Sequence, residues 1–172
     1  MDISTITEAF SDVTIQSPTV GVMLAGLLAV ALVFLSAFAS GSEIAFFSLS
    51  PSDVAELEDG KNPSDRKIQM LREDSERTLA TILITNNFVN VMIVMLLSNI
   101  FVSIVKFGPK AYWLEFLIMT VFLTFLLLLF GEIMPKVYCR QNPLRFCRRC
   151  VDAILFARKI FWPIETILLK SG

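Results

Sequence analysis

The sequence contains no histidine. That removes imidazole, a common transition-metal ligand and the usual general base at neutral pH. Cysteine is scarce too: Cys139, Cys147 and Cys150 all fall after the last apolar run. No disulfide framework is implied by three thiols so placed. Cys147 and Cys150 form a Cys-x-x-Cys, but no second pair or histidine completes a zinc site, so helix packing is their expected role. Basic residues are missing from positions 1–19, which carry Asp2, Glu8 and Asp12. A secretory leader needs a basic stretch ahead of its apolar core, so this stretch reads instead as an extracytoplasmic tail. Charged residues make up only 18% of the 172, against 55% hydrophobic, and mean hydropathy is +0.67. Those values exclude an ordinary soluble domain and point to a membrane protein. The formal net charge of −1 carries little information, because the charges are unevenly placed.

Three apolar runs follow the tail. Val20 to Ala39 is free of charge and long enough to cross about 30 Å of hydrocarbon. Its Gly21, Ala25 and Ala29 repeat every four residues, a smooth stripe for close helix packing. Leu79 to Val105 is the second run, about 40 Å long as a helix, so it tilts or protrudes. Lys106, Gly108, Pro109 and Lys110 make a turn, and Tyr112 and Trp113 mark a membrane edge. The third run extends from Tyr112 to Met134. Between the first two, residues 44–78 form a polar loop. Ser50-Pro51-Ser52-Asp53 reads there as a helix start that Gly60 would stop, and Asn62-Pro63-Ser64-Asp65 as a second cap, giving one or two short solvated helices.

Residues 142–172 are amphipathic. A fourth span would bury Arg158, Lys159 and Glu165, at roughly 2.5 kcal/mol or more each near the centre. A helix in the interface keeps them wet while burying Phe156, Phe161, Trp162 and Ile167, with a kink expected at Pro163. The tail holds no basic residue, the 44–78 loop five, residues 106–111 two and the remainder eight. By the positive-inside rule the N-terminus lies outside, and the first loop and the C-terminus lie in the cytoplasm. The expected fold is an all-α integral membrane protein with three transmembrane helices and a C-terminal juxtamembrane interfacial belt.

Each span carries polar groups at its cytoplasmic half. Ser36, Ser40 and Glu43 stand at i, i+4 and i+7 on one helical face, and Asn86 and Asn90 at i and i+4. In the third span Pro135 has no N–H to bond the carbonyl of Gly131, which leaves that oxygen as an acceptor beside Glu132. Hydroxyl, amide oxygen, carbonyl and carboxylate make a hard-ligand set that suits Mg²⁺, Ca²⁺ or Na⁺ and not zinc or copper. The same residues also serve as interhelical hydrogen-bond glue. The Gly131–Pro135 feature favours an ion site over glue. Lys136 stands one turn past Glu132, where it pairs with that carboxylate or, as the preferred reading, snorkels to the headgroups. No nucleophile–base pair accompanies Glu43 and Glu132, so an enzyme is not expected, nor is a nucleic-acid partner.

Ser36-Ala-Phe-Ala-Ser-Gly-Ser-Glu43, Asn86-Asn-Phe-Val-Asn90 and Gly131-Glu-Ile-Met-Pro-Lys136, in this order, resemble the transmembrane domain of the CNNM/CorC magnesium transporter family, from about residue 20 onward. The resemblance implies a homodimer in a bacterial inner membrane and Mg²⁺ export coupled to Na⁺ entry. It implies a metal held by Ser36, Ser40, Asn86, Asn90, Glu132 and the Gly131 carbonyl, with Glu43 and Asn87 as secondary candidates. Family members continue into a nucleotide-binding CBS pair. That region is absent from this sequence, so a truncated chain is expected, with nucleotide acting only through the missing part. A bacterial branch named for gliding motility is one place for it. The competing expectation is a non-transporting scaffold or sensor whose polar clusters only lock helices together.

Overall fold

A computed structural model describes residues 13–108 and 111–171, with side chains up to residue 163. Three helices are long and apolar enough to cross a membrane: α1 (Val20–Phe47), α4 (Ser75–Ile104) and α5 (Tyr112–Cys139). Between α1 and α4 come two short helices, α2 (Pro51–Glu58) and α3 (Asp65–Glu73), and the chain closes with α6 (Pro143–Ser171). The architecture is the expected one of three spans and a trailing amphipathic helix. Residues 1–12 of the tail, and Pro109 and Lys110 of the expected turn, lie outside the described residues, as does the side chain of Ile167.

The first helix opens on Thr19, whose hydroxyl accepts the Val22 N–H at 3.4 Å, and it runs eight residues past the expected end at Ala39. The extra turns hold Ser40, Gly41, Ser42, Ala45 and Phe46, all buried. Polarity there does not end the helix, because those residues face protein. Gly41 is needed at this point: a Cβ would fall 2.6 Å from Cys139 Sγ and 3.2 Å from the Phe146 ring, so its absence lets α1 meet the end of α5. Of the small-residue stripe, Ala29 is buried, Ala25 half-buried and Gly21 exposed, so only its inner end packs within the chain.

The short helices begin and end as their sequences direct. At α2 the Ser50 hydroxyl accepts the Asp53 N–H at 3.2 Å, while the Asp53 carboxylate accepts the Ser50 N–H at 2.8 Å, a reciprocal cap. Gly60 takes a positive φ of 63° just beyond it. At α3 Ser64 makes no side-chain cap. The Asp65 carboxylate instead accepts the Asn62 N–H at 3.0 Å, and the Asn62 amide oxygen accepts the Ser64 N–H at 3.1 Å.

These helices differ from the solvated pair expected from sequence. Leu57, Ile68 and Leu71 are buried in one core with Ala45 and Phe46 of α1, Ile82 of α4, Cys139, and Leu144, Cys147, Cys150, Val151 and Ile154 of α6. The Cys-x-x-Cys is therefore core, its thiols free and buried. Its hydrogen bond to Cys150, and then burial, push the Cys147 thiol far above its ordinary range. Asp65, fully buried, receives Arg148 Nε at 2.7 Å and Nη2 at 3.1 Å, and Arg148 Nη1 reaches Glu56 at 2.8 Å. The Arg148 guanidinium holds the Asp65 carboxyl below its usual range. Arg158 pairs with Asp74 and is sheltered, not wet as expected. Phe156, Ile160 and Trp162 are exposed, whereas Phe161 meets Phe88 edge-on at 6.0 Å. The α6 helix continues through Pro163.

At the opposite end, Thr14 and Ile15 form a two-residue antiparallel ladder with Lys106 and Val105, and the Gln16 N–H reaches the Ile104 carbonyl at 2.7 Å. This stitch ties the start of α1 to the end of α4.

Candidate metal centre

Helix rise places three polar groups at one depth. Measured from the stitched end at 1.5 Å per residue, Ser36 lies roughly 24 Å along α1, Asn90 roughly 21 Å along α4 and Gly131 roughly 28 Å along α5. Above them, Leu32, Val89 and Ile93 form a buried apolar layer with Leu127 against it. On the other side lies the core built around α2, α3 and α6. The polar groups are thus sandwiched between dry layers, where an unmet polar atom is costly.

Three other hydroxyls in the spans are satisfied within their own helices. Ser42 donates to the Phe38 carbonyl at 2.7 Å, Thr85 to the Thr81 carbonyl at 2.7 Å and Ser103 to the Asn99 carbonyl at 2.7 Å. Ser36 and Ser40 instead reach across. Ser36 Oγ lies 2.5 Å from Asn90 Oδ1 and 3.1 Å from Asn86 Oδ1, and Ser40 Oγ lies 3.2 Å from Asn86 Oδ1. Three oxygen–oxygen contacts share the two protons these hydroxyls own. One contact is therefore without a proton, and the cluster has more lone pairs than donors. Such a cluster favours a cation.

The third wall is α5. Its backbone is α-helical over Tyr112–Leu126, π-helical over Leu127–Ile133 and α-helical again over Met134–Cys139. The register slips by one residue, so the Met134 N–H bonds the Leu129 carbonyl. Pro135 then supplies no N–H to the carbonyl of Gly131 or that of Phe130. Gly131 presses on α1: a Cβ there would sit 3.1 Å from Ser36 Oγ. A methyl there would fit only if Ser36 gave way by a few tenths of an ångström, so glycine keeps backbone and hydroxyl in close approach.

The structure thus brings together Ser36, Ser40, Asn86, Asn90 and Gly131. Glu132 follows Gly131 in the chain and is half-buried, and among the described residues it enters no ion pair. Asn87 is exposed and stands outside the cluster. Glu43 Oε2 lies 3.2 Å from Lys136 Nζ, so among the described residues Lys136 pairs with Glu43 and not with Glu132. Both partners end their helices on the α2–α3 side of the cluster, and their opposite charges in equivalent places were the signal for the pair. The lost Pro135 bond was legible in the sequence; the π segment that absorbs it was not.

Comparison with known proteins gives one family model, described as the cyclin M transmembrane N-terminal domain, matching residues 27–172. A DUF21 domain-containing chloroplast protein of Arabidopsis thaliana is 33% identical over 83% of this chain and 21% of its own length. The metal transporter cnnm-4 of Caenorhabditis elegans is 30% identical over 76% of this chain and 28% of its own. A UPF0053 protein of Haemophilus influenzae is 30% identical over 78% and 30%. The chain therefore spans less than a third of the length of each of these relatives.

Proposed function

Because the chain belongs to the family of the cyclin M transmembrane N-terminal domain, we propose that it carries the cation pathway of a membrane transporter for Mg²⁺. Ser36, Ser40, Asn86, Asn90 and Glu132, with the Gly131 carbonyl, strip the ion of its water and hold it between the three spans. Transport is export coupled to Na⁺ entry, by alternating access in a two-fold homodimer, since three spans enclose a pathway poorly on their own. The N-terminus faces outward and the α2–α3 core lies in the cytoplasm, in keeping with the basic residues of the 44–78 loop.

The observation that carries this reading is the excess of oxygen lone pairs over protons where Ser36, Ser40, Asn86 and Asn90 meet. A hard divalent ion is the partner such a set favours. The single carboxylate fits release as well as capture, because a site richer in charge would hold the ion too long. The likeness to a relative named as a metal transporter points to transport rather than catalysis.

A second reading has its own support. Turning either asparagine amide over replaces an acceptor with donors, and the cluster becomes a satisfied joint between α1 and α4. Calorimetric titration of the purified protein with Mg²⁺ separates the two. Binding is expected in the wild type and is expected to vanish in Asn90→Ala and Glu132→Ala. Undiminished binding in both variants would remove the site as drawn, and folded wild-type protein that binds nothing would leave the joint. Na⁺-dependent Mg²⁺ flux in proteoliposomes then tests the coupling.

A further inference from the structure

Helix α6 carries four arginines among its described side chains, and they divide into two kinds. Arg148 is matched by Asp65 and Glu56, and Arg158 by Asp74. Arg145 and Arg149 meet no acid among the described residues. Both line a small cavity at the elbow where α5 ends and α6 begins, together with Tyr138, Asn142, Cys139 and Phe146. Its volume is about 90 Å³. A water occupies about 30 Å³ of liquid, so there is room for about three waters or one compact oxyanion. No carboxylate lines the cavity. Asn142, Arg145 and Arg149 follow one another at i, i+3 and i+7, so a single helical face presents an amide and two guanidinium forks.

We infer that this elbow cavity binds a phosphate group. Guanidinium forks match phosphate oxygens with paired hydrogen bonds, and two of them from one face meet two sides of a tetrahedral anion. The Tyr138 hydroxyl and the Asn142 amide supply neutral donors. The cavity also lies at the end of α5, the third helix long and apolar enough to cross a membrane. It sits where a membrane-crossing helix gives way to one whose exposed Phe156, Ile160 and Trp162 suit the interface. An anionic headgroup and a soluble phosphate share this chemistry, and neither depends on the cation-transport reading.

The test measures the thermal unfolding midpoint of the whole chain in neutral detergent, titrated with dioctanoyl phosphatidylglycerol, with inorganic phosphate, or with dioctanoylglycerol, which has tails and no phosphate. One or both phosphate probes should raise the midpoint, and dioctanoylglycerol should not. A rise with the lipid alone identifies a headgroup, and a rise with inorganic phosphate identifies a soluble ligand. Both arginines are exposed, so an Arg145→Gln/Arg149→Gln variant should fold. Its apparent affinity should fall roughly thirtyfold, about fivefold for each arginine. A Lys61→Gln/Arg66→Gln variant removes equal charge from the loop and should respond as wild type. A flat response to both phosphate probes, an equal response in the arginine variant, or an equal effect of dioctanoylglycerol overturns the inference.

Discussion

At the scale of single residues, two missing atoms shape the centre as much as the side chains present. Gly131 has no Cβ, and a methyl there would press on Ser36 Oγ from 3.1 Å. Gly131→Ala should therefore leave the fold intact and weaken Mg²⁺ binding by roughly tenfold to a hundredfold, the range seen when a ligand's support is disturbed. Titration calorimetry beside a circular dichroism melt distinguishes the two effects. Pro135 lacks an N–H, so Pro135→Ala restores a donor two residues beyond the π segment. The variant should shift its hydrogen bonding toward the ordinary helical register. A thermal midpoint at or above wild type, combined with lower Mg²⁺ affinity, is the expected pair of results. A loss of both would mean that proline acts on stability alone.

At the scale of elements, the short helices between the first two spans are held by charge as well as by core. Asp65 and Arg148 join α3 to α6, and the arginine keeps the Asp65 carboxyl ionised below its usual range. A carboxylate lowered in this way contributes stability fully above its unfolded value, about 3.9, and loses it as pH falls through the lower folded value. The contact should hold at pH 5 and fail well below pH 4. Asp65→Asn should cost about 2–4 kcal/mol at neutral pH, because Arg148 is left with only the more exposed Glu56. Its stability should then depend less on acid than that of the wild type, as denaturant melts at pH 7 and well below pH 4 would record. How far α2 and α3 were legible in sequence follows from the same residues. Ser50, Pro51, Asp53 and Gly60 marked the limits of α2 because caps are local chemistry. The burial of Leu57, Ile68 and Leu71 was not legible, because eight- and nine-residue helices carry too few turns to declare which face is covered. The end of α1 was misplaced for a related reason: Ser40 and Ser42 look like an exit from lipid until α4, α5 and α6 are there to receive them.

At the scale of the whole molecule, spans and cluster could be read because both rest on one number, the rise per helical residue. Ser36, Asn90 and Gly131 share a depth by that count alone. The Glu43–Lys136 pair and the α6 contacts escaped it, since they depend on how the helices are turned toward one another. The proposed orientation has a direct check. The native cysteines are buried, so a single added thiol reports its own side. Ile15→Cys should react with a membrane-impermeant maleimide on intact cells, and Lys61→Cys only after permeabilisation. The reverse pattern would invert the molecule. The ladder between Thr14–Ile15 and Val105–Lys106 has a mechanical consequence. It joins α1 and α4 at one end as a spring joins the arms of a clothes peg. Arms so joined can part widely only at their free ends, and the Ser36–Asn90 contact lies roughly 21–24 Å from the joint, on the side where leverage is greater.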